Sequence, residues 1–214
     1  RDVFARTLWG ARISLLVGLS VAALSVIIGL VIGLLAGTVR WVVAVVMRFM
    51  DGLMAIPSIL LAIAMVSLFG ASVLIVIIAI VIPEVPRVVR LVRAVVMATR
   101  EQPYVEAAVA GGAKWWKVLV RHILPPTIPP LIVQATYICA SAILVEAALS
   151  FLGAGTPPEI PTWGNMIASD RIYLGRAPWC IFYPGIALAI VVLAVNLVGD
   201  GLRDRLDPRI ARRM

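Results

Sequence analysis

The sequence predicts an all-α integral membrane protein with about five transmembrane helices and a helix–turn–helix segment on its cytoplasmic side. Three observations carry this expectation. Of the 214 residues, 62% are hydrophobic and 14% charged, and the mean hydropathy is +1.06; a soluble domain is about 45–50% apolar and about 25% charged. The apolar residues gather into five long runs. When those runs alternate across a bilayer, 14 of the 19 Lys and Arg residues fall on one side. Disordered, collagen-like and disulfide-scaffold classes are excluded, because the chain is too apolar, glycine has no period and there are two cysteines. Cys139 and Cys180 sit in or beside apolar stretches and read as small apolar fillers. A β-barrel is disfavoured as well, since its strands alternate apolar and polar residues and these runs are apolar on every face.

About 20 apolar residues cross a bilayer as a helix. The first such run covers 13–36 and carries no charge. The second covers 42–69, with Arg48 and Asp51 near its start and Pro57 expected to kink it. The third, 71–85, is short and β-branched, and Pro83 and Pro86 are expected to end it. The fourth, 128–151, contains Glu146, and the fifth covers 179–198. Between the third and fourth lies the basic segment 86–121; between the fourth and fifth lies a Pro- and Gly-rich loop, 153–178. No repeat of 20–50 residues or linker is visible, so 1–214 reads as a single domain.

The net charge of +8 would favour nucleic-acid binding in a soluble protein. Here the basic residues lie at the edges of apolar runs and act as topology determinants. Seven of them fall in 86–121 and five in the C-terminal tail, which places both segments in the cytoplasm and the N-terminus outside. The chain starts at Arg1 with no signal-peptide pattern before the first run. An upstream helix entering from the cytoplasm would resolve the outside start, so the expected parent has six helices.

The basic segment has its own local logic. Pro103 suits a first helical position, and Glu101 and Glu106 suit the positive end of a helix. Ala107, Ala108 and Ala110 are strong helix formers. Gly111 and Gly112 are placed to end that helix in the left-handed conformation. A second helix from about Ala113 places Trp115, Val118 and Leu119 on one face. Pro125 and Pro126 are expected to stop it before the chain re-enters the membrane.

Glu106-Ala107-Ala108, then Gly112, then His122-Ile123-Leu124-Pro125, resembles the EAA motif of permease subunits in binding-protein-dependent ABC importers. His122 stands where the usual form has Ile. Glu146-Ala147-Ala148 repeats the triplet inside an apolar run, without the Gly spacing or the Leu-Pro. Further segments are similar to the dipeptide/oligopeptide/nickel branch, second permease of the pair: Arg1 to Arg6, Gly10 to Ser14, Glu146 to Gly153, Pro161 to Asn165, Gly199 to Asp204 and Leu206 to Arg209. Relative to that branch, the resemblance implies that the first, N-terminal helix and the external loop after it are missing here.

The resemblance implies the transmembrane domain of a type I ABC importer, in a bacterial or archaeal cytoplasmic (inner) membrane. It implies ATPase coupling through Glu106, Ala107, Ala108, Gly112, Leu124 and Pro125 in a coupling segment of about 86–124. It implies a second permease subunit in a heterodimer, two cytoplasmic ABC ATPase subunits, an extracytoplasmic substrate-binding protein and contact with membrane lipid, but no nucleic acid. The cargo would be a dipeptide or oligopeptide, or alternatively nickel or another metal chelate. No cofactor is implied. The sequence carries no phosphate-binding loop of the form GxxxxGK[ST] and no nucleophile–base set, so ATP hydrolysis is expected on the partner ATPases rather than here. A stand-alone secondary transporter is the competing class; it would show internal repeats and interrupted mid-membrane helices.

Individual residues divide between two roles. Glu146 lies at membrane depth, where an isolated carboxylate is expensive; it either lines the translocation path or makes a structural contact near the external interface. Asp51, Glu84 and Asp200 are expected to pair with nearby basic residues. Trp115 and Trp116 suit the membrane interface. His122, the single histidine, has no Cys or His neighbours of metal-site spacing.

Overall fold

The computed structural model describes residues 2–38 and 40–206, with side chains from 38 to 42 left out of account. Arg1, the side chain of Arg40 and the tail residues Arg209, Arg212 and Arg213 therefore lie outside the described residues. The described chain is helical and carries no strand.

Helix α1 (Val3–Thr38) is 36 residues long, about 54 Å at 1.5 Å per residue. It begins well before the apolar run, because the Asp2 carboxylate accepts from Ala5 N at 3.0 Å and caps it. Helix α2 (Arg40–Ala55) and α3 (Ser58–Phe69) replace the single second crossing. Their axes differ by 85°, far more than a kink. Ile56 precedes Pro57, which disfavours helical backbone there, and Pro57 itself is extended, at φ −56° and ψ 125°.

Helix α4 (Val73–Arg100) corrects one expectation. Pro83 and Pro86 do not end it; both lie inside a 28-residue helix. Each proline removes one helical hydrogen bond. In a packed bundle, neighbouring helices can carry that loss, and α4 packs on α1 from Val85 to Val96. Gly29, Gly33 and Gly37 recur every four residues along α1, and Val88, Val92 and Val96 recur every four along α4. A Cβ on those glycines would come within 2.5 Å, 2.6 Å and 2.5 Å of the three valines in turn. Small residues at helical spacing let two backbones approach, the usual device where lipid removes a hydrophobic drive.

The rest of the chain is α5 (Pro103–Ala110), α6 (Trp115–Val118), a π-helical turn (Leu119–Ile123), α7 (Leu124–Phe151), α8 (Trp163–Asp170), a 3₁₀ turn (Arg171–Tyr173) and α9 (Trp179–Leu206). Here a second expectation is corrected. Pro125 and Pro126 do not stop the helix that begins at Trp115; one helical path runs from Trp115 to Phe151. The wide turn absorbs the prolines: Leu124 N donates to Leu119 O, five residues back.

Helix α7 is central, packing on α1, α4, α8 and α9. Three helical paths are long and apolar enough to cross a membrane: Val3–Gly37, Trp115–Phe151 and Trp179–Leu206. A fourth is added if bent α2–α3 counts as one. The difference from about five lies in α4, whose apolar start runs into Glu84, Arg87, Arg90 and Arg93. Arg87 pairs with Glu84 at 2.6 Å. Asp51 pairs with Arg90 across the α2–α4 contact at 2.5 Å rather than with its neighbour Arg48. No ion pair joins Asp200 to Arg203 among the described residues.

Candidate functional site

Glu106, Ala107 and Ala108 lie on α5 and Gly112 in the turn after it, in a hairpin between the end of α4 and the start of α7, while Leu124 and Pro125 lie in the first turn of α7. Gln102 is extended at φ −82° and ψ 139°, and Pro103 takes the first helical position of α5. Glu106 sits in its first turn, where the helix dipole favours a carboxylate. The far end closes with two reverse hydrogen bonds: Gly112 N donates to Val109 O at 3.0 Å, and Ala113 N to Ala108 O at 3.1 Å. This Schellman pattern requires a left-handed residue between them, and Gly112 supplies it at φ +77°. Lys114 is extended and α6 follows.

The hairpin stands on buried side chains and shows small ones outward. Val105, Val118, Leu119 and Ile123 are buried beneath it. Tyr104 stacks on His122 with ring centroids 6.3 Å apart. Glu106, Ala107, Ala110, Gly111 and Gly112 are exposed, and Ala108 is half-buried against the core. On the second arm Leu124 is half-buried and Pro125 exposed. Trp115 is partly exposed, unlike buried Val118 and Leu119, with the Arg100 guanidinium 5.4 Å from its ring centroid. Glu106 also borders an open cavity of about 420 Å³ with Arg93, Met97, Arg100 and Glu101.

Glu146 lies at the opposite end of α7. It is fully buried. Its Oε1 accepts from Ser150 Oγ at 2.8 Å, Thr162 Oγ1 at 2.9 Å and Thr156 Oγ1 at 3.4 Å. Thr162 does double duty, because its hydroxyl also accepts from Asn165 N at 3.1 Å and caps α8. Trp163, fully buried, fastens α8 to the first turns of α1: its backbone N donates to Ser14 Oγ at 3.3 Å, and its indole Nε1 to Thr7 O at 3.0 Å. Asn165 Nδ2 reaches the carbonyls of Thr156, Pro157 and Ile160 at 3.0–3.2 Å. The sequence segments 146–153 and 161–165 are thus one packed unit, with Gly164 against the Ala147 backbone.

Removing the Glu146 side chain would strand these buried hydroxyls, at about 1–3 kcal/mol for each left unpaired. Glu146→Gln keeps an acceptor oxygen in place. Glu146→Ala is therefore expected to lower the thermal unfolding midpoint of the purified protein in detergent, and Glu146→Gln to stay close to wild type. Equal midpoints for Ala and wild type would remove the hydroxyl cage as a stabilising feature.

Residues 25–212 match the family described as binding-protein-dependent transport system inner membrane component. The chain belongs to this family. Among relatives, it is 61% identical over 213 residues to a probable peptide ABC transporter permease of Sinorhizobium fredii, covering all of this chain and 73% of that protein. It is 49% identical over 210 residues to a putative peptide transport system permease of Brucella suis, covering 98% and 71%. It is 44% identical over 211 residues to a dipeptide transport system permease of Alkalihalophilus pseudofirmus, covering 98% and 69%. The fold matches a chain of an inward-facing MetNI methionine ABC transporter, with a TM-score of 0.78 at 20% identity, over 97% of this chain and 99% of that one. As a family member, this chain is an inner membrane permease component, and its helical architecture is that of an ABC importer transmembrane domain.

The structure adds Arg93 and Arg100 beside the hairpin, lining the cavity that Glu106 borders. Both lay within the basic segment, and nothing in their spacing marked them apart from their neighbours.

Proposed function

We propose that this chain forms half of the translocation pathway of an ATP-driven importer for dipeptides or oligopeptides, and that the 103–125 hairpin is where a cytoplasmic ATPase docks. The exposed, small-residue outer surface of the hairpin carries this reading. Ala107, Ala110 and Gly111 present almost no side chain, so a partner groove can approach the backbone closely. Glu106, Ala107, Ala108 and Gly112 form the docking arm; Leu124 and Pro125 begin the helix that would carry its motion into the membrane. The names of the relatives support a peptide cargo.

A second permease would complete the pathway. Helix α9 leaves Ile186, Ile190, Leu193 and Leu197 exposed along one stripe, apolar enough to meet lipid or that partner. The hairpin and the C-terminus face the cytoplasm in this arrangement, and an external binding protein delivers the peptide. Of the two roles open to Glu146, its enclosure by three hydroxyls supports the structural one.

The test is uptake of labelled alanyl-alanine into vesicles holding the reconstituted importer, with and without this chain. Uptake is expected to require both this chain and ATP hydrolysis. Unchanged uptake in its absence, or uptake driven by an ion gradient without ATP hydrolysis, would overturn the reading.

A further inference from the structure

The glycine ladder does not stop at Val96. Four residues further along α4 the same face presents Arg100, so positions 88, 92, 96 and 100 lie in one row opposite α1. The first three teeth fill the spaces left by Gly29, Gly33 and Gly37. The fourth tooth is charged and does something different. Arg100 Nη1 donates to Gly37 O at 2.9 Å, a carbonyl in the last turn of α1. That carbonyl lies toward the C-terminal end of α1, the negative end of the helix dipole, where a cation is favoured. The same guanidinium lies 5.4 Å from the centroid of Trp115, the first residue of α6.

One side chain therefore bridges three elements: α4, which carries it; α1, 63 residues away in sequence; and the second arm of the hairpin. The covalent chain already links the hairpin to α4 and α7. It does not link the hairpin to the end of α1. Arg100 supplies that link, and the ladder above it holds α1 and α4 together along their length.

We propose that Arg100 is a positioning residue that clamps the hairpin to α1. A displacement of the hairpin by its ATPase then moves α1 and α4 as one body rather than bending the junction at Glu101 and Gln102. This rests on the reading of the hairpin as the ATPase-docking element. Arginine suits the task, because its planar fork donates to the carbonyl while its face stays on the indole. Lysine keeps the charge and one donor but satisfies both partners less well.

The experiment uses the complete transporter in proteoliposomes: this chain, the second permease, both ATPases and the binding protein. It reads ATP hydrolysis and labelled alanyl-alanine uptake for wild type, Arg100→Lys, Arg100→Met, Trp115→Leu and the double variant Arg100→Met/Trp115→Leu. Arg100→Met is expected to retain its ATPases on purification but to lose about tenfold in peptide taken up per ATP hydrolysed, the scale of one hydrogen bond to a charged group. Arg100→Lys recovers most of the ratio. Trp115→Leu falls between, and the double variant is no worse than Arg100→Met, because both changes break one bridge.

A wild-type ratio in Arg100→Met overturns the clamp. So does a loss of uptake that only tracks the amount of assembled complex, or losses that add in the double variant. If Arg100→Met fails to assemble, Trp115→Leu carries the test through the same ratio. Failure of the underlying reading looks different: the wild-type complex itself shows no ATP-dependent uptake, and the clamp falls with it.

Discussion

Gly33→Leu is expected to collapse the yield of folded protein in the membrane and to lower the thermal midpoint of what remains. A Cβ at position 33 would lie 2.6 Å from Val92 Cβ, 2.8 Å from Val92 Cγ1 and 3.1 Å from Val89 O. Leucine adds three further carbons to that space. The obstructing atoms are a β-branched side chain and backbone, so neither rotates away. Relief requires α1 and α4 to separate. The contacts of Gly29 with Val88 and of Gly37 with Val96 oppose this, being just as close on either side. Overpacking of this kind costs roughly 1–3 kcal/mol, and more where the backbone cannot shift. Gly33→Ala should show a smaller loss, and Val92→Ala in the Gly33→Ala background should recover part of it. Gly185→Leu is the control, because nothing lies within 4 Å of a Cβ there. A Gly33→Leu protein that melts with wild type would mean that α1 and α4 are not closely packed.

The consequence reaches beyond stability. The ladder makes α1 and α4 one unit, and α4 delivers the chain directly into the hairpin. Further contacts of α1, with α7 at Gly18 and Ile143 and with α8 through Trp163, tie that unit to the end of the bundle away from the hairpin. A change at the hairpin therefore has a continuous packed route to the opposite end of the molecule.

What the sequence made legible was set locally. Pro103 at the start of α5, the Gly111–Gly112 stop and the onset of α6 follow from backbone preferences of a few adjacent residues, and the structure has all three. The features that needed distant partners were harder to read. Pro83 and Pro86 are expected to end a helix because proline removes a hydrogen bond, whereas both lie inside α4, a helix that packs on α1, α3 and α7. Pro125 and Pro126 were expected to stop one, whereas a π turn absorbs them. Pro57 was expected to kink a span and turns it by 85°. Two of the three partners of Glu146, Thr156 and Thr162, lie 10 and 16 residues away, in the loop after α7 and at the start of α8. One long-range signal does lie in the sequence: three glycines at intervals of four within an apolar run mark a helix-contact face.

Gly112→Val carries the second large expected effect. Nothing lies within 4 Å of a Cβ at this position, so a side chain there meets no steric obstacle. The obstacle is the backbone, held at φ +77°. Left-handed backbone costs roughly 1–2 kcal/mol for an L-residue and is worst for β-branched ones. Valine is expected to open the two reverse hydrogen bonds from Gly112 and Ala113 and so re-aim α5. The buried anchors Val105, Val118, Leu119 and Ile123 remain, so the change is confined to the presented surface. Asparagine tolerates the left-handed region, so Gly112→Asn should keep most of the function and shows that conformation, not side-chain bulk, is the cause.

The decisive measurement is peptide uptake per ATP hydrolysed for Gly112→Val, Gly112→Asn and wild type in the reconstituted importer. The predicted result is a complex that assembles with its ATPases and hydrolyses ATP while Gly112→Val imports little peptide, with Gly112→Asn near wild type. Unchanged assembly together with unchanged uptake per ATP in Gly112→Val would contradict a coupling role for the hairpin.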